Sequence, residues 1–398
     1  MKPSREIWVL LLVALAVRAA FAMVVYGFPP DMACFAGWAK QAKEVGLFRM
    51  YFSDVYVDYP PGYLYVLALL GYLKSFLGIA DGSLPFLLFL KLPAILADLA
   101  LAFLFFSVGK EHLGEERALT VAAFFALNPA IILDSALWGQ VDSIFVLPLL
   151  VGVLLLMEGR PELSSLFFAL SILVKPQALV FTPLWLFTFF ERKSLAVFLR
   201  SLLVGIGTFL VLSLPFSLPA VFRIYRGALG TYKYTTLNAF NFFALLGGNW
   251  IPDTQKVLFL SFREWGYVAV VGIVVLSALL FFQGDRKKRY PVVALFLAFS
   301  VFLFVHRMHE RYLFPALVFA LLLYVFHHRR EILGIFLGLS GTFFVNVGLV
   351  LLYGFFGKYH FPRFDWRLIA TSVANLGLWV FFLWYTFQER YYRKEVTG

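Results

Sequence analysis

Residues 291–327 read PVVALFLAFSVFLFV-HRMHERY-LFPALVFALLLYVFH, in which the polar residues 306–312 separate two long apolar runs. Apolar runs of this kind recur along the chain and predict helices embedded in a membrane. The polar residues would then lie at a membrane boundary, where charged side chains are costly and usually have a function or a buried partner. The stretch therefore indicates a helical membrane protein with a charged segment that needs an explanation.

This charged segment has more than one interpretation. Arg307 and Arg311 are four residues apart and would share one helix face if the segment were helical, and a guanidinium pair suits bidentate binding of phosphate. Alternatively, the segment is a short polar turn whose charges cap two helices and reach into lipid headgroups. A zinc site at His306 and His309 is less favoured, because there is no His-Glu-x-x-His order and no nearby cysteine.

The composition of the whole chain also indicates a membrane protein. Of its 398 residues, 62% are hydrophobic and 14% are charged, and the mean hydropathy is +0.84. A soluble domain could not bury so much apolar surface, and the alternating pattern of a β-barrel does not occur. We therefore predict an all-α polytopic membrane protein that forms a single domain over residues 1–398. The single cysteine, Cys34, excludes an internal disulfide framework.

Basic residues near the ends of the apolar runs predict the topology. The net charge of +11 is spread over these ends, which favours contacts with anionic lipid over a nucleic-acid partner. Lys2 and Arg5 precede the first span, residues 6–28, so the N-terminus is expected to be cytoplasmic. The other predicted spans are residues 85–108, 118–133, 143–157, 164–174, 177–191, 197–217, 266–283, 291–305, 313–327, 332–353 and 368–387.

Residues 63–79 are apolar but difficult to place. The basic clusters are Lys110/Arg117, Arg192/Lys193, Arg286-Lys287-Lys288-Arg289, Arg329/Arg330 and Arg390/Arg393/Lys394. All of them are cytoplasmic only if residues 63–79 enter the membrane and return on the same side; if they cross, another weak segment must not. The first arrangement gives about 12 transmembrane helices (roughly 11–13) with both termini inside.

The first outer loop, residues 29–62, is predicted to contain a membrane-parallel helix. Pro29-Pro30 is expected to end the first span, and Asp31 to start an amphipathic helix that Gly46 ends. Asp31 then has two compatible roles, as the cap of this helix or as a general base that deprotonates an acceptor hydroxyl. Further on, Asp58-Tyr59-Pro60-Pro61 predicts a rigid extended turn, with Tyr59 at the membrane interface.

Three other outer segments carry polar residues. Residues 134–143 place Trp138, Gln140 and Asp142 together, which is typical of a sugar site but also of an ordinary loop with an interfacial Trp. Lys175-Pro176-Gln177 interrupts a long apolar run, so Lys175 would either neutralise a phosphate or extend to the headgroups. In the long outer loop, residues 218–264, the aromatic and amide residues 231–245 suggest a docked loop or an interfacial helix.

The distribution of charge favours a transferase whose donor leaves as a phosphate. Acidic groups are concentrated in the N-terminal outer loops, and basic groups at Lys175 and residues 307–311. If the helices bring them together, a base faces a phosphate-binding surface. Two other functions stay open: a transporter or flippase, in which Arg18, Lys91 and Asp98 line a path, and a ligase or polymerase that uses a pyrophosphate-linked glycan.

Several short motifs occur in an order that resembles the GT-C class of glycosyltransferases. They are Asp31, Asp58-Tyr59-Pro60-Pro61-Gly62, Asn128-Pro129 with Trp138-Gly139-Gln140-x-Asp142-Ser143, Lys175-Pro176-Gln177, Asn238-Ala239-Phe240-Asn241 and His309-Glu310-Arg311-Tyr312-Leu313-Phe314-Pro315. Over residues 1–320 the chain looks similar to prokaryotic mannosyltransferases related to the second GPI-anchor mannosyltransferase. It also looks similar to dolichyl-phosphate-glucose-dependent glucosyltransferases. It departs from other GT-C enzymes in having neither a paired Asp-Glu in the first loop nor a C-terminal soluble domain.

The resemblance implies a GT-C-like bundle and a hexosyltransferase in the plasma membrane, active on its outer face. The donor would be a polyprenyl-phosphate-linked sugar, the acceptor a lipid-linked or other glycan, and no metal or cofactor would be needed. Asp31 would be the base of an inverting displacement. The donor phosphate would contact Arg311, Lys175, His309 and Arg307. The remaining candidates for substrate binding are Asp58, Tyr59, Trp138, Gln140, Asp142, Gln177, Asn241, Glu310 and Tyr312.

Overall fold

The computed structural model describes residues 5–52, 55–228, 230, 232–285 and 288–396. Residues 2, 231, 286 and 287 and the side chains of residues 390–394, which the predictions above used, lie outside this description. The chain forms two compact units. Unit 1 comprises Met1–Lys110, Glu115–Leu179 and Ser194–Tyr232, and unit 2 comprises Glu111–Gly114, Val180–Lys193 and Lys233–Gly398.

Helices make up most of the described chain. In order they are α1 (Arg5–Val24), α2 (Pro29–Arg49), α3 (Pro61–Phe76), α4 (Leu84–Leu113), α5 (Glu115–Ala126), α6 (Pro129–Ile132), α7 (Asp142–Met157), α8 (Pro161–Val174), α9 (Thr182–Arg192), α10 (Leu195–Ser213), α11 (Leu218–Ala228), α12 (Phe242–Leu245), α13 (Phe262–Phe282), α14 (Arg289–Phe304), α15 (Phe314–His327), α16 (Arg330–Phe355) and α17 (Trp366–Val396). A π-helical turn, Leu133–Trp138, continues α6. Short 3₁₀ segments are Met50–Phe52, Pro176–Phe181 and Glu310–Leu313.

Four two-residue strands complete the described secondary structure. They are β1 (Thr236–Leu237), β2 (Lys256–Val257), β3 (Leu260–Ser261) and β4 (Met308–His309). β1 pairs in parallel with β4, with Thr236 opposite Met308, and β2 pairs antiparallel with β3. All four strands lie in unit 2.

The predicted class, an all-α polytopic membrane protein, is confirmed. Among the described helices, seven are long and apolar enough to cross a membrane: α1, α4, α10, α13, Glu310–His327 (which includes α15), α16 and α17. The pair formed by α5 and α6, bent by 40°, would be an eighth span. The predicted number of about twelve is not confirmed by this count, because α7, α8 and α14 are shorter apolar helices. Whether α3 crosses the membrane stays a prediction.

The start of α2 differs from the prediction. α1 ends at Val24, and Pro29 is the first residue of α2, so Pro29-Pro30 begins a helix and does not end one. Proline suits this position because the first helical N–H has no partner within the helix. Asp31 therefore lies inside the first turn and does not cap the helix. The predicted amphipathic pattern is confirmed, because Met32, Phe35, Trp38, Ala39 and Ala42 are buried while Lys40, Lys43 and Glu44 are exposed.

A buried ion pair joins four elements of unit 1. Arg18 Nε on α1 donates to Asp98 Oδ2 on α4 at 2.8 Å, and both side chains are fully buried. Asp98 also accepts hydrogen bonds from Ser135 in the π-helical turn and from Ser143 on α7. Because Arg18 and Asp98 satisfy each other within packed helices, their geometry supports a structural role and not the lining of a transport path.

Two glycines let α3 pack directly against its neighbours in unit 1. A Cβ at Gly62 would lie 2.6 Å from the backbone carbonyl of Leu173 near the end of α8. A Cβ at Gly71 would collide with the carbonyl oxygen of Ala39 on α2. Since no side chain fits at either point, α3 separates α2 from α8 by backbone contacts.

In unit 2, Asn238 organises the segment that follows β1. Its Oδ1 accepts hydrogen bonds from Trp250 Nε1 at 2.7 Å and from the Phe361 backbone at 2.9 Å. Its Nδ2 donates to the Tyr359 carbonyl, and its own carbonyl accepts from Asn346 on α16. One amide side chain therefore connects the long loop to the segment between α16 and α17.

Candidate active site

The carboxylate of Asp31 is held by two side chains of unit 1. Trp138 Nε1 donates to Asp31 Oδ2 at 2.7 Å, and Gln140 Nε2 donates to the same oxygen at 2.5 Å. The Phe28 ring stacks on Trp138 with a centroid separation of 4.4 Å, and the Phe28 amide donates to the Trp138 carbonyl. The first turn of α2 is thus joined to residues 138–140 by both backbone and side-chain contacts. We call Asp31, Trp138, Gln140, Asp142 and Lys175 the carboxylate cluster.

The π-helical turn explains how Trp138 and Gln140 come to face the same carboxylate. Asn128 caps α6 by accepting from the Ala130 amide, and α5 and α6 meet at a bend of 40° beside Asn128-Pro129. The turn ends at Gly139, whose φ of 92° is in the left-handed region that favours glycine. Trp138 is 0% exposed. The alternative prediction of an interfacial Trp is therefore wrong: the indole is a buried hydrogen-bond donor.

Lys175 extends the carboxylate cluster through an ion pair. α8 ends at Val174, so the predicted break at Lys175-Pro176 is confirmed. Lys175 Nζ lies 2.7 Å from Asp142 Oδ1 and donates to Gln140 Oε1 at 3.2 Å, with side chains 4% and 2% exposed for Lys175 and Asp142. Snorkelling to the headgroups is therefore not what Lys175 does here. Gln177, in the following 3₁₀ segment, has a buried Oε1 with no hydrogen-bond partner among the described residues.

Tyr59 and its aromatic neighbours pack next to the carboxylate cluster. Tyr59 packs against Phe35, Trp38 and Tyr63, and its hydroxyl donates to Gln140 Oε1 at 3.5 Å. Burial raises the pKa of the nearby Asp58 carboxyl, and the charge of Asp31 raises it further. Asp58 therefore binds a proton more readily than an exposed aspartate does.

The charged segment 306–312 is not helical at its start. Arg307 has a φ of 64°, and its amide donates to the Thr235 carbonyl just before Met308–His309 pairs with β1. The condition under which Arg307 and Arg311 would share one helix face is therefore not met. The alternative interpretation, a short polar turn whose charges cap two helices, is also wrong, because the segment forms β4 and a 3₁₀ turn, Glu310–Leu313.

Each arginine of this segment has its own carboxylate. Arg307 Nε and Nη2 approach Asp253 Oδ2 at 2.8 and 2.7 Å, and Asp253 is 1% exposed. Arg311 Nη1 lies 2.5 Å from Glu310 Oε1. The His309 and Tyr312 rings lie 5.1 Å apart.

Asn241 has a structural use in unit 2. It is fully buried, its Oδ1 accepts from the Ala244 amide to cap α12, and its Nδ2 donates to the Phe302 carbonyl at 2.9 Å. Residues 233–245 lie in unit 2 and include the short elements β1 and α12, so the docked loop is the better of the two interpretations for them and the interfacial helix is wrong. Substrate binding by Asn241 stays a prediction, and its contacts favour a positioning role.

The structure therefore brings the candidate residues together in two groups, one per unit. Asp31, Tyr59, Trp138, Gln140, Asp142 and Lys175 form hydrogen-bonded contacts within unit 1. Asp253 could not be identified from the sequence, because an aspartate in a long loop has no spacing that marks it as the partner of Arg307. The structural role of Lys91, whose ammonium contacts backbone next to Trp138, also has no signal in the sequence.

Three comparisons with known proteins bear on this site. A family model described as glycosyltransferase family 87 matches residues 56–308, more than half of the chain. Comparison with curated protein sequences finds no match. Among solved structures, the chain is similar to the crystal structure of ArnT from Cupriavidus metallidurans bound to undecaprenyl phosphate. That similarity has 15% identity and a TM-score of 0.48, and it covers 95% of this chain and 76% of that chain.

Proposed function

The chain belongs to glycosyltransferase family 87, and from this premise we propose that it transfers a hexose, with mannose favoured, from a polyprenyl-phosphate-linked donor. The acceptor is a lipid-linked or other glycan, and the reaction takes place on the outer face of the plasma membrane. The family supports the transfer of a sugar. The ordered motifs that resemble GT-C enzymes support the donor class, the GT-C-like bundle and the relation to prokaryotic mannosyltransferases.

Asp31 is the base in this proposal, and its geometry is the observation that carries the mechanism. Two N–H donors, from Trp138 and Gln140, fix one carboxylate oxygen at 2.7 and 2.5 Å. A carboxylate held in this way keeps its direction toward an acceptor hydroxyl without further ordering. Asp31 accepts the hydroxyl proton while the acceptor oxygen bonds to the anomeric carbon. The bond from that carbon to the phosphate oxygen breaks on the opposite face, and the polyprenyl phosphate leaves with the electron pair.

The basic residues stabilise the leaving phosphate. Arg311, Arg307, Lys175 and His309 are the proposed contacts, and the charge that the phosphate gains is offset by the guanidinium and ammonium groups. A guanidinium has five N–H donors, so it can bind a carboxylate and a phosphate together. The ion pairs with Glu310 and Asp253 therefore orient the two arginines.

The remaining candidates contact the sugar or the acceptor. Tyr59 offers aromatic surface, Trp138 acts through its hydrogen bond to Asp31, and the hydrogen-bonding groups are those of Gln140, Asp142, Gln177, Asn241 and Glu310. Asp58 and Tyr312 complete the proposed set. An inverting displacement needs one base and one good leaving group, so a second catalytic carboxylate is not required.

The experiment that tests the proposal measures polyprenyl phosphate released by the purified full-length protein. The donors are polyprenyl-phosphate-mannose and polyprenyl-phosphate-glucose, each with a lipid-linked acceptor. We expect turnover with mannose, and a loss of about 10²–10⁴-fold for Asp31→Asn, the contribution typical of a general base. The melting temperature of the variant shows whether it is folded.

The matched control is Asp58→Asn, which changes a neighbouring carboxylate that has no base role in the proposal. We expect a smaller loss for it, mainly in KM. If Asp31→Asn retains near-wild-type turnover, the base is a different residue. If neither donor releases polyprenyl phosphate with the wild-type protein, the donor class is wrong. A transporter would instead move labelled lipid across a vesicle membrane without cleaving it.

A further inference from the structure

We propose that Lys91 is a positioning residue that supports the backbone from which Trp138 and Gln140 hold Asp31. Lys91 lies on α4 and is 0% exposed. Its ammonium donates to three backbone carbonyls, those of Val25 at 2.6 Å, Ala136 at 2.9 Å and Leu137 at 3.3 Å. Among the described residues it forms no ion pair with a carboxylate. The kinetic part of this proposal rests on the proposed function, and the structural part does not.

The three carbonyls belong to the ends of two helical segments. Val25 directly follows α1, and its amide still bonds to the Phe21 carbonyl. Ala136 and Leu137 lie in the last part of the π-helical turn. Carbonyls at a helix C-terminus have no partner within the helix and carry partial negative charge, so a cation is the favoured cap. Lys91 therefore caps two helical ends with one ammonium group.

These two ends carry the residues that hold Asp31. Three residues after Val25, the Phe28 amide donates to the Trp138 carbonyl, and its ring stacks on the indole. Trp138 follows Leu137 directly. The Lys91 side chain also lies against Gly139, where a Cβ would be 3.4 Å from the Lys91 Cε. Lys91 thus supports the backbone on both sides of the contact between α2 and residues 138–140.

A neutral side chain without donors cannot replace this support. In Lys91→Met the side chain keeps its approximate volume, but the buried Ala136 carbonyl and the half-buried carbonyls of Val25 and Leu137 lose their hydrogen-bond donor. Leaving a buried polar group without its hydrogen-bond partner is destabilising. The segment shifts or admits water to relieve that cost, and Trp138 and Gln140 then no longer fix Asp31. A displacement of about 1 Å near a reacting group can reduce the rate about 10²-fold.

Hydrogen exchange of the full-length protein tests the structural part without any substrate. In Lys91→Met we expect the backbone amides of residues 25–32 and 134–141 to exchange about tenfold faster or more, with residues 161–174 of α8 unchanged. The control is Ser164→Ala, which removes a buried hydrogen bond to the Gly152 carbonyl between α7 and α8. It should leave residues 25–32 and 134–141 unchanged. Lys91→Gln retains amide donors and should show a smaller increase.

Kinetics test the positioning role. We expect kcat of Lys91→Met to fall about 10²-fold while KM for the donor changes little, because Lys91 contacts no substrate. Ser164→Ala should leave both constants near wild type. The proposal is overturned if Lys91→Met exchanges like the wild type at residues 25–32 and 134–141. It is also overturned if all segments exchange faster to the same degree in Lys91→Met, since that describes general destabilisation. An inactive wild-type protein would count against the proposed function and leave the exchange result decisive for Lys91.

Discussion

The negative charges of Asp31 and Asp58 act on the thiol of Cys34. Cys34 is one helical turn after Asp31 and is exposed. Partial burial of the sulfur is the largest cause of its raised pKa, and the negative charges of Asp31 and Asp58 raise it further. The thiol of Cys34 is therefore a native reporter of charge beside the proposed base.

The rate of Cys34 alkylation should increase when that charge is removed. The thiolate is the reactive form, so a raised pKa slows the reaction at neutral pH, and the rate rises as pH rises toward the pKa. In Asp31→Asn one like charge is lost, the thiol pKa falls, and we expect alkylation roughly twofold faster or more at the same pH. Glu44→Gln, on the exposed side of α2, is the control and should have little effect. An unchanged rate in Asp31→Asn would mean that its charge does not reach the sulfur.

Single residues show where sequence reasoning succeeds and where it does not. Trp138, Gln140 and Asp142 could be grouped from the sequence because they are adjacent in it. The hydrogen bond from Trp138 to Asp31 joins residues 107 positions apart, and no local spacing specifies it. Arg307 and Arg311 are four residues apart and would share a face only in a helix. The Arg307 amide instead bonds to the Thr235 carbonyl, a distant contact that no local spacing specifies.

At the scale of elements, helix positions could be predicted well and their ends less so. The predicted spans 85–108 and 332–353 correspond to α4 and α16, because long apolar runs have few alternatives to a helix. The predicted span 118–133 became α5 and α6, since Asn128-Pro129 interrupts it. The predicted span 6–28 extends one turn too far, since α1 ends at Val24. Pro29 instead begins α2, because proline is well accommodated at the first position of a helix.

Removing one partner of the buried Arg18–Asp98 ion pair is expected to destabilise unit 1 strongly. Arg18→Met leaves the Asp98 carboxylate buried without its cation, and we expect a loss of about 3–5 kcal/mol. In Arg18→Met/Asp98→Leu neither position carries an unpaired buried charge, so part of that loss should be recovered. Thermal unfolding in detergent measures both variants.

The matched control uses an exposed ion pair of the same unit. Arg200 and Glu162 are 64% and 35% exposed, and Arg200→Gln should cost less than about 1 kcal/mol. Equal melting temperatures for Arg18→Met and Arg200→Gln would show that burial does not set the strength of the Arg18–Asp98 pair.

At the scale of the whole molecule, composition predicted the class, and the basic clusters predicted a sidedness that is still to be measured. Membrane side cannot be derived from helix length alone, and the count of seven or eight long spans leaves the shorter helices α7, α8 and α14 unassigned. The positive-inside rule predicts a cytoplasmic N-terminus and places residues 29–62 outside only as an expectation.

Cys34 allows this sidedness to be measured without introducing a cysteine. It is the single cysteine of the chain and lies on the exposed part of α2. We expect a membrane-impermeant maleimide to label it in intact cells, at a pH high enough to form the thiolate. In inside-out vesicles labelling should require detergent. The reverse pattern would place the first outer loop in the cytoplasm and remove the proposed outer-face reaction.

The bare backbone contacts of α3 have a consequence for how substrate preference could change. Gly62 contacts the main chain of Leu173 and Gly71 contacts that of Ala39, so α3 packs between α2 and α8 without an intervening side chain at either glycine. Asp31 is carried by α2 and Lys175 follows α8. The distance between the α2 and α8 backbones beside these two residues is thus limited by main-chain contacts, which side-chain substitutions do not shorten. A new sugar or acceptor would have to be accommodated by exchanging side chains near Asp31 and Lys175, while the distance between the α2 and α8 backbones stayed constant.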